Sequence, residues 1–152
     1  MVHVRRLLFV PGLAALVLIG ACRSESSSST PAAPTVNALN VAGSWRGTAT
    51  DSSGPGSITM QVTQSGTTLS GTVSMSVTTV TGRGTLTGTV SGSAIHLTIA
   101  IPAGGFDAPF ASCTATVSGD GQATASSISA TYTGTNSCSG AITKGELTVT
   151  KG

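Results

Sequence analysis

The chain has 152 residues, of which 39% are hydrophobic and only 8% charged, with seven basic against five acidic side chains. That length suits one domain better than two. Arg5 and Arg6 stand in an N-terminal segment that reads as a leader; without them Arg23, Arg46, Arg83, Lys144 and Lys151 balance Glu25, Asp51, Asp107, Asp120 and Glu146, which leaves no basic face for nucleic acid.

The chain opens with a short basic stretch, Met1 to Arg6, followed by an apolar run from Leu7 to Ile19 interrupted only by Pro11-Gly12. This run is too short to span a bilayer, which takes about 20 apolar residues. It has the order of charge and hydrophobicity of a cleaved secretory signal. Ile19-Gly20-Ala21-Cys22 follows directly and resembles the lipobox of bacterial lipoproteins. The resemblance implies cleavage after residue 21 and a diacylglyceryl group on Cys22, so that membrane lipid becomes a partner through the acylated cysteine. Two or three acyl chains anchor a protein durably where one does not. Arg23, rather than an aspartate, follows the cysteine, and by resemblance to the sorting pattern of enteric bacteria this favours the outer over the inner membrane.

Residues 22–39 then read as a tether. Ser24-Glu25-Ser26-Ser27-Ser28-Ser29-Thr30 has nothing apolar to bury, and Pro31-Ala32-Ala33-Pro34 stiffens the run.

Residues 40–152 form the expected domain. Apolar residues recur at every second position, as in Ile58-Met60-Val62, Ile95-Leu97-Ile99-Ile101 and Ile128-Ala130-Tyr132, with Ser and Thr between them. This is the pattern of half-buried antiparallel strands and not of disorder. Eight strands are predicted, over about 43–50, 56–64, 67–79, 84–91, 94–101, 111–118, 126–134 and 141–150, with turns at clusters such as Ser53-Gly54-Pro55-Gly56, Gly82-Arg83-Gly84 and Gly119-Asp120-Gly121. The fold class is therefore all-β: a single small antiparallel up-and-down barrel, with a β-sandwich as the alternative. Closure removes the exposed edges that a Thr- and Val-rich sheet would otherwise present. The near-repeat of Thr68-Leu69-Ser70-Gly71-Thr72-Val73-Ser74 at Thr85-Leu86-Thr87-Gly88-Thr89-Val90-Ser91 reads as two similar neighbouring strands, since a solenoid would need the unit throughout the chain.

Gly43-Ser44-Trp45 resembles the Gly-x-Trp that opens the barrel of the calycin group, to which lipocalins and avidins belong. The wider pattern is similar to Thr/Gly-rich barrels of bacterial lipoproteins. The resemblance implies that Trp45 plugs one barrel end under a basic residue of the last strand, here assigned to Lys144.

With Cys22 given to lipid, Cys113 and Cys138 remain as an even pair in an oxidising compartment. In an up-and-down barrel they fall at the same end, so a structural disulfide is expected. His96 alternates with Ile95 and Leu97 and is expected to face outward. With one histidine after processing and no Gly-x-Ser-x-Gly elbow, no catalytic residue, metal ligand or cofactor is assigned. Trp45, Phe106 and Phe110 are the candidate ligand or lid residues, the two phenylalanines lying in the longest predicted connection. Gly71, Gly88, Ala115 and Ala130 are small inward residues that either leave room for a guest or let the core close. Two functions stay open: an envelope barrel that binds a small apolar molecule, and a filled barrel acting as a structural or protein-interaction module. Oligomeric state is not legible.

Overall fold

The computed structural model describes residues 39–152; the leader, Cys22 and the tether up to residue 38 lie outside the described residues. Eight strands follow in chain order: β1 (Gly43–Asp51), β2 (Gly54–Ser65), β3 (Thr68–Val77), β4 (Val80–Ser91), β5 (Ala94–Ile101), β6 (Ala115–Ala123), β7 (Ser127–Asn136) and β8 (Gly140–Lys151). Each pairs antiparallel with its neighbours, and β8 returns to β1, so the sheet closes into an up-and-down barrel. The sandwich alternative is excluded. The described residues contain every strand of a complete ladder and its core, so this segment has what it needs to fold on its own.

Period two accounts for the core. Trp45, Met60, Leu69, Leu86, Val90, Ile128 and Val149 all point inward and are almost completely buried, while the intervening Thr and Ser residues face solvent. The near-repeat belongs to adjacent strands in complementary register: Leu69 lies opposite Gly88 and Leu86 opposite Gly71, so each leucine has a glycine across from it. A Cβ at Gly71 would run into the Gln61 carbonyl oxygen of β2. Gly71 and Gly88 thus serve close strand approach, whereas Ala115 and Ala130 line an opening described below.

Three expected turns are wholly or largely strand instead: of Ser53-Gly54-Pro55-Gly56 only Ser53 stays in the turn, and β2 begins at Gly54. The β3–β4 reversal uses Thr78-Thr79 and not Gly82-Arg83-Gly84, because Gly82 and Gly84 are inward positions where neighbours come too close for a side chain. Phe106 sits against Gly82 and the Ala100 carbonyl against Gly84. Likewise β6 runs through Gly119-Asp120-Gly121, where a Cβ at Gly119 would meet the Thr131 carbonyl, and it starts at Ala115 rather than residue 111, because Ala111 and Cys113 hydrogen-bond within the connection to Gly104 and Phe110. Glycine marks tight inner curvature here as often as it marks a turn.

One end of the barrel is closed. The Trp45 Nε1–H donates to the Val41 carbonyl (2.9 Å), and the segment from Leu39 to Ala42 precedes β1 there. Gln64 clamps that segment: its Oε1 accepts from the Val41 N–H (2.8 Å) and its Nε2 donates to the Leu39 carbonyl (3.0 Å). Leu39, read from sequence as the last tether residue, packs against the core. The cation over the Trp45 ring is Lys151, 5.5 Å from its centroid and directly opposite it in the ladder. Lys144 cannot take that part: it stands at the other half of β8, where its positive φ (54°) forms a bulge opposite Tyr132–Gly134 and turns the strand phase.

Candidate functional site

The end opposite Trp45 is open. β1 ends there at Asp51, and the β3–β4 and β7–β8 reversals and the 102–114 connection surround it. Between them lies a cavity of ≈ 390 Å³, inside the size range of small-molecule sites. Its walls are Ile58, Met75, Leu97, Ile99, Val117 and Leu147, all inward by strand phase.

The rim is braced. The 102–114 connection is pinned to β4 by Arg83 N–H to the Gly105 carbonyl (2.7 Å) and Asp107 N–H to the Thr81 carbonyl (3.0 Å). An exposed Arg83–Asp107 ion pair (3.1 Å) adds to this. At its far end Cys113 is disulfide-bonded to Cys138 in the β7–β8 reversal, the pairing expected from sequence. Phe106 packs against Gly82, while Phe110 remains 42% exposed. Both phenylalanines line the cavity. Trp45 is not among the lining residues; it is fully buried in the closed end.

The polar part of the cavity was not legible as a site in the sequence. Asp51 shares the phase of Trp45 and Ala49 and therefore turns inward at the end of β1. Its Oδ1 accepts from the Ser53 N–H (2.7 Å) and its Oδ2 from the Tyr132 hydroxyl (2.9 Å). The β1–β2 turn that holds it is tied to β8 by the Ser52 N–H to the Thr143 carbonyl (3.1 Å). The Tyr132 ring lies over Gly145, where any Cβ would strike it; the Lys144 bulge sets that glycine inward. Burial first, then the hydrogen bond to Asp51 and its negative charge, push the Tyr132 phenol well above its ordinary value of 10.0, so it stays a proton donor to the carboxylate. Reading Asp51 in phase with Trp45, instead of as a turn aspartate, is the signal that would have found it.

A second cluster lies on the outer face. His96 Nδ1 is 2.7 Å from Asp120 Oδ1, and His96 Nε2 is 3.2 Å from Ser118 Oγ. This is the connectivity of a Ser-His-Asp triad. The setting differs from that of an acyl-transfer site. The Ser118 hydroxyl also contacts Thr98 Oγ1 (3.1 Å), and β6 is paired on both sides, with β5 and β7. Backbone N–H groups around Ser118 are therefore committed to the ladder and do not form an oxyanion hole. Asp120 is 83% exposed, which weakens any pairing by solvent screening.

The fold and site thus define a closed eight-stranded antiparallel barrel with one plugged end and one open, mainly apolar cavity. No protein-family model, curated protein or solved structure matches the chain.

Proposed function

We propose that the protein is an envelope lipoprotein, cleaved after residue 21, acylated on Cys22 and held to the membrane by that lipid, whose barrel binds a small apolar molecule. The observation that carries the binding reading is the ≈ 390 Å³ cavity with aliphatic walls, open at the end opposite the Trp45 plug. An aliphatic hollow gives an apolar guest a gain for every methylene it buries. The Gly43-Ser44-Trp45 opening, with Lys151 over the Trp45 ring, supports the calycin resemblance on the same side. The leader, the lipobox and the Ser/Pro-rich tether support membrane anchoring, with Arg23 favouring the outer membrane. On this reading the protein is not an enzyme.

The test is a titration calorimetry series of straight-chain alcohols into the chain from Arg23 onward, which keeps the whole barrel and omits the acylated cysteine. At about 30 Å³ for each methylene-sized volume, the cavity accommodates about a dozen heavy atoms. Affinity should tighten about fourfold per methylene, from ~0.8 kcal/mol each, and level off near that length. Absence of saturable binding across the series refutes the reading and leaves the structural or interaction module. Intact mass of the full chain expressed in a lipoprotein-processing bacterium tests the anchor: the expected species starts at Cys22 and carries diacylglycerol.

A further inference from the structure

The cavity is apolar along its walls, yet one of its lining residues is charged, and that residue is an acid. Among the lining residues Asp51 is the sole ionisable carboxylate, and no lysine, arginine or histidine lines the cavity with it. The ion pairs among the described residues are Arg83–Asp107 and His96–Asp120, so among the described residues no cation lies within ion-pairing distance of Asp51. A turn-capping role explains its Oδ1, which accepts from the Ser53 N–H. It does not explain Oδ2, which faces Tyr132 across the barrel, 81 residues away in sequence. A carboxylate offers about four lone-pair sites, and these two bonds occupy two of them. The Tyr132 hydroxyl spends its proton on Asp51 and keeps lone pairs to accept with. Asn136, also at this end, has its Oδ1 taken by the Cys138 N–H (2.8 Å) and the Ser139 N–H (3.3 Å), so it adds amide N–H donors and no free acceptor there. The side of the cavity formed by Asp51 and Tyr132 is thus rich in acceptors, negative, and held in place by β1, β7 and the Lys144 bulge.

We propose that the guest is an apolar molecule bearing an ammonium group, its body in the aliphatic hollow and its head on the Asp51 carboxylate beside Tyr132. This inference deepens the apolar-binding reading and rests on it. An ammonium brings several N–H donors to unfilled acceptor sites and supplies the counter-charge the carboxylate lacks. A hydroxyl head supplies one donor and no charge. A carboxylate head brings like charge to Asp51 and is disfavoured. The aromatic rings of Phe106, Phe110 and Tyr132, which line the same cavity, add faces that attract cations.

The experiment compares octylammonium, octanol and octanoate at neutral pH, each titrated calorimetrically into the chain from Arg23 onward. The expected order is octylammonium, then octanol, then octanoate, with the amine about tenfold tighter than the alcohol. Raising the salt concentration should weaken the amine selectively. In Asp51→Asn, checked for folding by its β-sheet circular dichroism, the amine-to-alcohol affinity ratio should fall to near one. If that variant does not fold, the salt dependence of the ratio in the native sequence decides. An alcohol that binds as tightly as the amine, or a ratio indifferent to both salt and Asp51→Asn, overturns the ammonium inference while leaving the apolar pocket standing. Failure of all three ligands to bind overturns the pocket reading itself, and this inference with it.

Discussion

Reduction of the Cys113–Cys138 bond should lower stability without changing the native barrel. The two cysteines are 25 residues apart, and cross-linking a loop of that length removes denatured-state entropy equivalent to about 3.5 kcal/mol in the chain-entropy model. The native side of the equilibrium has independent support. The Ser137 N–H donates to the Thr114 carbonyl (2.8 Å), and the Thr114 N–H donates to Ser137 Oγ (2.9 Å), so the two chain segments stay side by side without the sulfur bridge. The cost of reduction therefore falls mainly on the unfolded chain. For a folded unit of this size a loss of 1 kcal/mol lowers the melting midpoint by roughly 4 °C, which puts the expected drop near 15 °C. The assay is thermal and guanidinium unfolding of the same sequence, oxidised against reduced and alkylated after reduction in denaturant. The guanidinium slope should also rise, because the open chain exposes more surface than the cross-linked one. A midpoint shift below about 4 °C with an unchanged slope would show that the bond does not constrain the denatured state, and the reasoning would fail.

Three further outcomes are expected. Thr78 turns the β3–β4 reversal at φ 55°, a left-handed conformation that costs a β-branched residue roughly 1–2 kcal/mol; Thr78→Asn should stabilise the barrel by about 0.5–1 kcal/mol in urea unfolding, and Thr79→Asn, at a residue without positive φ, should not. The Tyr132 phenol keeps its proton more tightly folded than unfolded, so its contribution is complete below about pH 10 and declines as pH rises above that value. The stability difference between the native protein and Tyr132→Phe should accordingly shrink with pH above 10, and a difference that is flat there would contradict the assignment. Finally, a fluorophosphonate probe should leave Ser118 unlabelled despite its His96–Asp120 neighbours; labelling that disappears in Ser118→Ala would reopen the enzymatic reading.

Strand number, antiparallel order and closure were legible because Val, Ile and Leu alternate with Thr and Ser through nearly the whole domain, and because short connections force neighbours to pair. The disulfide was legible from cysteine parity and strand order. Glycine misled at Gly82, Gly84, Gly119 and Gly121, where the sequence looks like a turn; the barrel uses the missing Cβ at Gly84, Gly119 and Gly121 to bring strands together and at Gly82 to seat the Phe106 ring. Phase accounts for the rest. The last strand carries two lysines: Lys144 lies in the half of β8 beside Tyr132, toward the open end, and the residue opposite Trp45 is Lys151. Phe106 and Phe110 could be placed at the open end by connection length alone. Asp51 and Tyr132 could not be paired from sequence, since their contact passes over Gly145 and depends on the register shift at the Lys144 bulge.

The two ends of the barrel are built on different terms. At the closed end Trp45, Val41, Val90 and Val149 exclude solvent, and Gln64 satisfies the backbone groups that cross the plug. At the open end the inward positions Ala115 and Ala130 are small, and an acid and a phenol face the hollow beside Met75 and Ile99. A barrel selected for stability alone gains by filling such a hollow, because unfilled space forfeits dispersion contacts. The open rim is nevertheless restrained by a disulfide, an ion pair and backbone hydrogen bonds to the 102–114 connection. Rigid walls around unfilled space lower the ordering cost of accepting a guest, and that combination is what supports the proposal of a binding barrel.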